Sequence, residues 1–533
     1  MKARHGGSKA ALIAALAVWA AWPGLAASST LLIEAVQHND AATVRLLLAE
    51  GADVAEAGAD LSTALHAAAL DDRLEIAGLL IEAGADVSAA TRYGVTPLAL
   101  AAANGNAAMI GLLLDAGADP NEASRQGQPV LLSAARNGRP DAIRLLIERG
   151  ARVDERETFL GQTALMSAAG RGNPEAIALL VAAGAEIHAR SERGFTALLL
   201  AVRENRAAAV AKLLQLGAKV EDRAPDGTSA LNMAIVNAYF DLASMLIDAG
   251  ADPNAPDPRG SALHSVAWLH KPGSTWDAIR AFSVPETAPR PTGRVTALVL
   301  ARKLLEQGAD PNKRARFEEP RFRKDLGQTL NPPGLMLGRH YLSYDGATPF
   351  YVAARNGDFR FMELLIEYGA DAMIPTMHGV TPLMAAAGLD YYEGETPGPF
   401  AGVPEAERLR AVQTALAHGN EIDARTDFGD YTMVGSAEFT LLTYPQNFDE
   451  LAGLGVGDPR FDGMTALHGA VISKQASIVR YLIDQGADVM VANELGWTPL
   501  MMAEGLFLAN EKKEFPAAAR MLREAMRAQV VRR

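Results

Sequence analysis

Ten histidines and a surplus of carboxylates give this chain its widest chemical reach, and their spacing limits what they can do. A zinc-binding helix needs two imidazoles four residues apart. His270, His340, His378 and His418 are scattered, no pair falls at that interval, and no H-E-x-x-H occurs. His66, His264 and His468 instead share one local frame, each in the fourth place of a T-x-L-H run, with Ser261 standing for the threonine before His264. Asp449, Glu450, Asp458 and Asp462 are hard oxygen ligands without the spacing of a calcium loop. Gly453-Leu454-Gly455-Val456-Gly457 has the look of a dinucleotide loop, but Asp458 stands where the third glycine belongs and Pro459 follows in place of a helix, so it reads as a linker. No Walker loop, nucleophile elbow or EF-hand is present. The absence of cysteine removes disulfides, thiolate metal sites, thiol nucleophiles and a lipidated N-terminal cysteine. The chain is therefore expected to have no catalytic residues, no cofactor and no metal.

The elements that would carry these residues recur. Leu65, Leu98, Leu131, Leu165, Leu198, Leu231 and Leu263 follow one another at 33, 33, 34, 33, 33 and 32 residues. The Gly turns at Gly51, Gly84, Gly117, Gly150, Gly184, Gly217 and Gly250 keep almost the same step. Two landmarks on one period mark a repeat architecture.

One unit, residues 91–123, shows the physics. Gly94 permits a tight turn, expected at the base of a β-finger. Thr96 stands where a helix N-cap belongs, and Pro97 takes the first helical position, where a missing N–H costs nothing. Leu98 to Ala103 predict a short first helix of small residues, broken at Asn104-Gly105-Asn106. Met109, Ile110, Leu112, Leu113 and Leu114 predict the buried face of a second helix, closed by a left-handed cap at Gly117.

On these residues the chain resembles the ankyrin-repeat family. The matching cores are Thr63-Ala64-Leu65-His66, Thr96-Pro97-Leu98, Thr163-Ala164-Leu165, Thr196-Ala197-Leu198, Thr348-Pro349-Phe350, Thr381-Pro382-Leu383, Thr465-Ala466-Leu467-His468 and Thr498-Pro499-Leu500. The resemblance implies an all-α repeat solenoid of about twelve stacked helix–turn–helix units with short β-fingers. It also implies a concave groove, lined by fingers and first helices, that binds other proteins. For His66, His264 and His468 it implies a structural hydrogen bond to the backbone of a neighbouring finger.

After Gly250 the glycine turns spread to steps of 58, 61, 50 and 67, through Gly308, Gly369, Gly419 and Gly486. The repeats continue with insertions. Residues 29–256 read as a regular array with an N-terminal cap, and 257–533 as a decorated array closed by a charged C-terminal helix. The inserts at about 269–295 and 388–404 fall between the two helices of a unit; those at about 313–343 and 427–460 fall in fingers. Aromatic and arginine side chains there suit interface cores, although the same rings could simply pin each insert to the stack. The candidate partner contacts are Arg92, Tyr93, Arg125, Phe159 and Arg193 on fingertips, and Trp268, Trp276, Arg321, Tyr391 and Tyr392 in or beside inserts.

The 533-residue chain has a formal charge of -13, which argues against nucleic acid as a partner. Arg520, Arg523, Arg527, Arg532 and Arg533 make one local basic run, diluted by Glu504, Glu511, Glu514 and Glu524. At the other end, Lys2, Arg4 and Lys9 precede an apolar run from Ala10 to Trp22, a Pro23-Gly24 break and small residues. That order is expected to be a secretory signal, residues 1–26, cleaved after Ala26; an uncleaved anchor is the rival. The expected protein is an exported, monomeric, non-enzymatic scaffold or adaptor for a protein partner, in the periplasm or secreted. Two other readings stay open: a secreted effector acting on another cell, and an enzyme or small-molecule binder whose site is built from the inserts.

Overall fold

A threonine starts most of the helix pairs. In the computed structural model Thr96, Thr163, Thr196, Thr348 and Thr498 each take extended backbone and accept, through Oγ1, the amide of the residue three places on. One of the donors that a helix start leaves orphaned is thereby satisfied. Pro97, Pro349, Pro382 and Pro499 follow inside the first turn. The structure describes residues 28–257, 260–270, 293–315, 322–323, 328–329, 346–389, 403–427, 461–506 and 514–532. The expected signal segment 1–26 lies outside them, as do Trp276, Arg321, Tyr391, Tyr392 and most of the four inserts.

The described residues form two compact units, 1–218 and 219–533. The first contains the helix pairs Ser28–Gln37 with Ala41–Ala49, Ala64–Leu70 with Leu74–Glu82, Pro97–Asn104 with Ala107–Asp115, Val130–Asn137 with Pro140–Glu148, Ala164–Arg171 with Pro174–Ala182, and Ala197–Arg203 with Ala207–Gln215. The second contains Ala230–Val236 with Phe240–Asp248, Ala262–His270 with Ala297–Glu306, Pro349–Arg355 with Phe359–Glu367, Pro382–Ala387 with Glu405–Ala417, Ala466–Ile472 with Ala476–Asp484, and Pro499–Ala503 with Pro516–Arg532. These twelve pairs make the fold an all-α repeat solenoid. Within each unit, first helices pack on first helices and second helices on second helices.

The pattern of small and large residues explains that packing. Leu98, Ala101 and Ala102 on a first helix, and Met109, Ile110 and Leu113 on its second, are fully buried. Alanines let first helices approach closely, and each buried Leu or Ile removed from water contributes about 1.5–3 kcal/mol. Leu112, expected in that buried face, is half-buried instead, because the face is narrower than five residues. In the last helix Ala518, Ala519 and Leu522 face the core, while Arg523 pairs with Glu504 at 2.5 Å.

Insertions leave the stacking register intact. In the regular array Asn121 donates through Nδ2 to Gly150 O at 3.1 Å and accepts from the Arg152 amide at 2.7 Å. Asn254 makes the same pair of bonds to Gly308 O and the Asp310 amide, and Asn312 to Gly369 O and the Asp371 amide, all at 2.7–3.1 Å. Helices Ala262–His270 and Ala297–Glu306 flank the first insert, and Pro382–Ala387 and Glu405–Ala417 flank the third. In the second insert Phe322–Arg323 pairs antiparallel with Gln328–Thr329.

Fingertips turn through a residue of positive φ, which is leucine at Leu61 (φ 66°) and glycine at Gly94 (φ 70°), the latter at the tip and not at the finger base as expected. A side chain in the left-handed region costs about 1–2 kcal/mol. Leu61→Gly is therefore expected to stabilise the first unit by up to about 1 kcal/mol, read as a shift in urea midpoint. Gly94→Ala is expected to do the opposite and by more, since its Cβ would lie 2.5 Å from the Arg125 backbone nitrogen.

Candidate functional site

The fingertips of the first unit are joined into one row by backbone hydrogen bonds. The Arg92 amide donates to Asp60 O at 2.7 Å, Arg125 to Tyr93 O at 3.2 Å, and Glu192 to Leu160 O at 2.9 Å. Thr158 Oγ1 closes the remaining step by donating to Gln126 O at 2.7 Å. The five fingertip candidates Arg92, Tyr93, Arg125, Phe159 and Arg193 thus stand on a single continuous edge, all exposed. Phe159 is 78% and Tyr93 64% exposed, which is unusual for rings on a rigid frame. Two of the arginines also hold the edge together: Arg92 donates to Ala59 O at 2.6 Å and Arg125 to Arg92 O at 3.0 Å.

A second set of arginines clasps neighbouring fingers together. Arg156 Nη1 donates to Gly161 O of its own tip at 3.0 Å and to Arg190 O of the next repeat at 2.7 Å. Arg314 spans Gly346 O and Pro375 O, and Arg425 spans Gly463 O and Ala492 O, in the same way. Arg223 reaches Gly227 O and Pro256 O. The sequence reading missed this device, although a signal exists: an arginine stands six residues after the turn glycine at Gly150, Gly184, Gly217, Gly308 and Gly419. Each guanidinium places two donors in a fixed fork, which suits two carbonyls presented one repeat apart.

The three T-x-L-H histidines have the structural role implied for them. His66 Nε2 bonds Val95 O at 3.0 Å, His264 Nε2 bonds Ala347 O at 3.0 Å, and His468 Nε2 bonds Trp497 O at 3.1 Å. In each ring Nδ1 accepts the backbone amide three residues back, from Thr63, Ser261 and Thr465. Because an amide can only donate, Nδ1 must be unprotonated and Nε2 carries the hydrogen, fixing a neutral imidazole. Burial pushes all three below the usual histidine range, His264 and His468 to about 4. Where the histidine position is Ala99, the carboxyl of Glu122 takes over and accepts from Thr96 Oγ1. Burial raises that carboxyl to about 7.

The second unit encloses a polar cluster. Asn356 and Asp358, in the loop between two helices, are fully buried, whereas the equivalent Asn104 is half-buried and Asn137 exposed. Asp358 caps Phe359–Glu367 and accepts from His270 Nδ1 of the preceding repeat. Arg408 is fully buried and donates to Arg355 O at 3.5 Å. Trp268, a candidate partner contact, is only 8% exposed, its indole face under Arg355 at 5.3 Å. It lies in the last turn of Ala262–His270, a helix in which every residue from Ala262 to Trp268 is buried. Among the described residues no group of three His, Asp or Glu is placed to hold a metal ion, and no helix is long and apolar enough to cross a membrane.

A helix–turn–helix stack with projecting fingers and an exposed, chemically varied tip row defines a repeat-type interaction protein. The ankyrin-repeat (3 copies) family model matches residues 32–124, 98–191, 131–224, 165–257 and 439–507, and the single ankyrin-repeat model matches 345–374. The chain belongs to the ankyrin-repeat family. Such repeats are general protein–protein interaction modules, and proteins built from them are generally non-enzymatic. The chain is similar to the potassium channel AKT1 of Arabidopsis thaliana, 28% identical over 160 residues, which is 30% of this chain and 16% of the channel. It is also similar to the ankyrin repeat domain of human ASB11, at 25% identity, covering 42% of this chain and 98% of that one with a TM-score of 0.39.

The buried imidazoles set the sign of one pH response. Their folded values lie below the unfolded value of 6.5, so protonation favours the unfolded chain. The stability they contribute is complete above pH 6.5 and is lost as pH falls to 4, by about 3 kcal/mol for each of His264 and His468. Urea unfolding of the second unit is expected to weaken across that window. His468→Ala should lower stability at pH 7, by about 1–3 kcal/mol for the two groups it leaves unpaired, and should flatten the slope. An unchanged slope would mean the ring is not buried neutral.

Proposed function

We propose that this chain is an exported, non-enzymatic scaffold or adaptor that binds a partner protein along its finger edge, the groove that edge borders, and its inserts. The observation that carries the reading is the single hydrogen-bonded row of fingertips that presents Phe159 and Tyr93 to solvent between arginines. Exposed aromatics and arginines on a preorganised frame are what binding hot spots are made of, because little ordering entropy remains to be lost. The arginine clasps between neighbouring fingers supply that preorganisation. Trp276, Arg321, Tyr391 and Tyr392 are proposed as further contacts in the inserts.

The leader composition of residues 1–26 supports export to the periplasm, with the mature chain acting as a monomer. N-terminal sequencing of the protein recovered from the envelope is expected to begin at Ala27; an intact Met1 would argue for a retained anchor.

Binding is tested by placing a photo-crosslinking amino acid at Phe159 or Tyr93 in cells, with Glu148 on a second helix as the control position. One dominant adduct at the two tips and none at Glu148 is the expected result. Equal labelling at all three positions, or none at the tips, would remove the finger edge as the binding surface.

A further inference from the structure

Charge is sorted along each finger of the first unit. At the finger bases, Asp53, Asp86, Asp119 and Asp154 accept backbone amides at 2.8–3.1 Å, from Ala55, Ser88, Asn121 and Glu186. At the tips, residues 57–61, 90–94, 123–127, 156–161 and 190–194 hold five arginines against three carboxylates, in a chain of net charge -13. Two of the three tip carboxylates are occupied, and Glu192 stands exposed beside Arg193. Asp60 accepts from the Ser62 amide and hydroxyl, and Glu157 accepts the amides of Phe159, Leu160 and Gln162 at 2.7–3.0 Å. Burial pushes the Glu157 carboxyl up, but those amides and Arg136 outweigh it and hold it below the usual carboxylate range.

The guanidiniums are satisfied differently. Arg92, Arg125 and Arg156 donate to backbone carbonyls, which fixes their position without neutralising their charge, and no carboxylate pairs with them among the described residues. Each retains N–H donors in a planar fork suited to a carboxylate. Arg193 stands exposed on the next tip. Between these charges lie the exposed rings of Tyr93 and Phe159.

We propose that the finger edge of the first unit recognises an extended acidic segment of a partner protein, whose carboxylates meet Arg92, Arg125 and Arg193 and whose apolar side chains cover Tyr93 and Phe159. This deepens the finger-edge reading above and rests on it. A polypeptide fits better than a nucleic acid. Asp60, Glu157 and Glu192 interrupt the arginine row and would repel an evenly charged phosphate backbone, whereas a peptide can set neutral residues opposite them.

The test uses the full mature chain and four immobilised polymers: a random glutamate–tyrosine copolymer, poly-glutamate, poly-lysine and poly-uridylate. The copolymer is expected to bind tightest, poly-glutamate more weakly, and both less well as salt rises. Arg125→Gln with Arg193→Glu is expected to weaken copolymer binding at least tenfold without shifting the melting temperature by more than a few degrees. Tyr93→Ser with Phe159→Ser should remove the copolymer's advantage over poly-glutamate. A preference for poly-lysine, equal or tighter binding of poly-uridylate, no binding of either acidic polymer, or indifference to the arginine variants would each overturn the proposal. Copolymer failure alongside dominant crosslinks at Phe159 would remove the acidic chemistry and leave the binding edge standing. Loss of those crosslinks would remove the edge itself.

Discussion

No single repeat of this chain can bury both faces of its two helices, and the rest of the structure depends on that constraint. First helices of five to ten residues are far below the length at which an isolated helix persists in water. They exist because a neighbour covers them, so stability is carried by nearest-neighbour contacts. The hydrogen bonds between repeats then act as register keys. An asparagine in one base turn reads the turn glycine of the next, and an arginine in one finger reads the next finger's carbonyl. Both use neutral backbone acceptors, so they hold alignment at little desolvation cost, and at Arg156 the bonds leave the charge unneutralised.

Nearly all of the frame was legible in the sequence. The period, the Thr N-caps, the Pro at the first helical positions and the turn glycines are local backbone requirements, and a local requirement leaves a residue signature. The histidine roles were legible only through the family resemblance, since nothing in a T-x-L-H run itself says that Val95 O waits one repeat away. Three features were not read. The arginine clasp recurs at a fixed offset but resembles ordinary surface charge until its two carbonyls are seen. Glu122 replaces an imidazole from the far end of its repeat, a substitution between positions distant in sequence. From sequence Trp268 reads as a partner contact because it borders an insert, and burial near a helix end depends on what the next repeat places there.

The insertions show how loosely recognition and stacking are coupled in such a frame. Closing a longer loop costs only about 0.6 kcal/mol for each doubling of its length, so a unit tolerates twenty or thirty extra residues provided the elements on either side keep their register. Asn254 and Asn312 show that they do: each bonds the next base turn across an interval nearly twice the regular one, with the geometry Asn121 has in the undecorated array. Burial does change at these places. The Asn356-Gly357-Asp358 loop is sealed where Asn104 and Asn137 of the first unit meet water, and a buried Asp358 then needs His270 and its own helix N-terminus as partners. The polar lining of the second unit thus differs from that of the first while the stacking bonds stay the same. In the first unit, where spacing is regular, the tips vary from repeat to repeat. A frame whose register is fixed by neutral backbone bonds can change its tip residues freely, and charge placed there remains free to meet a partner.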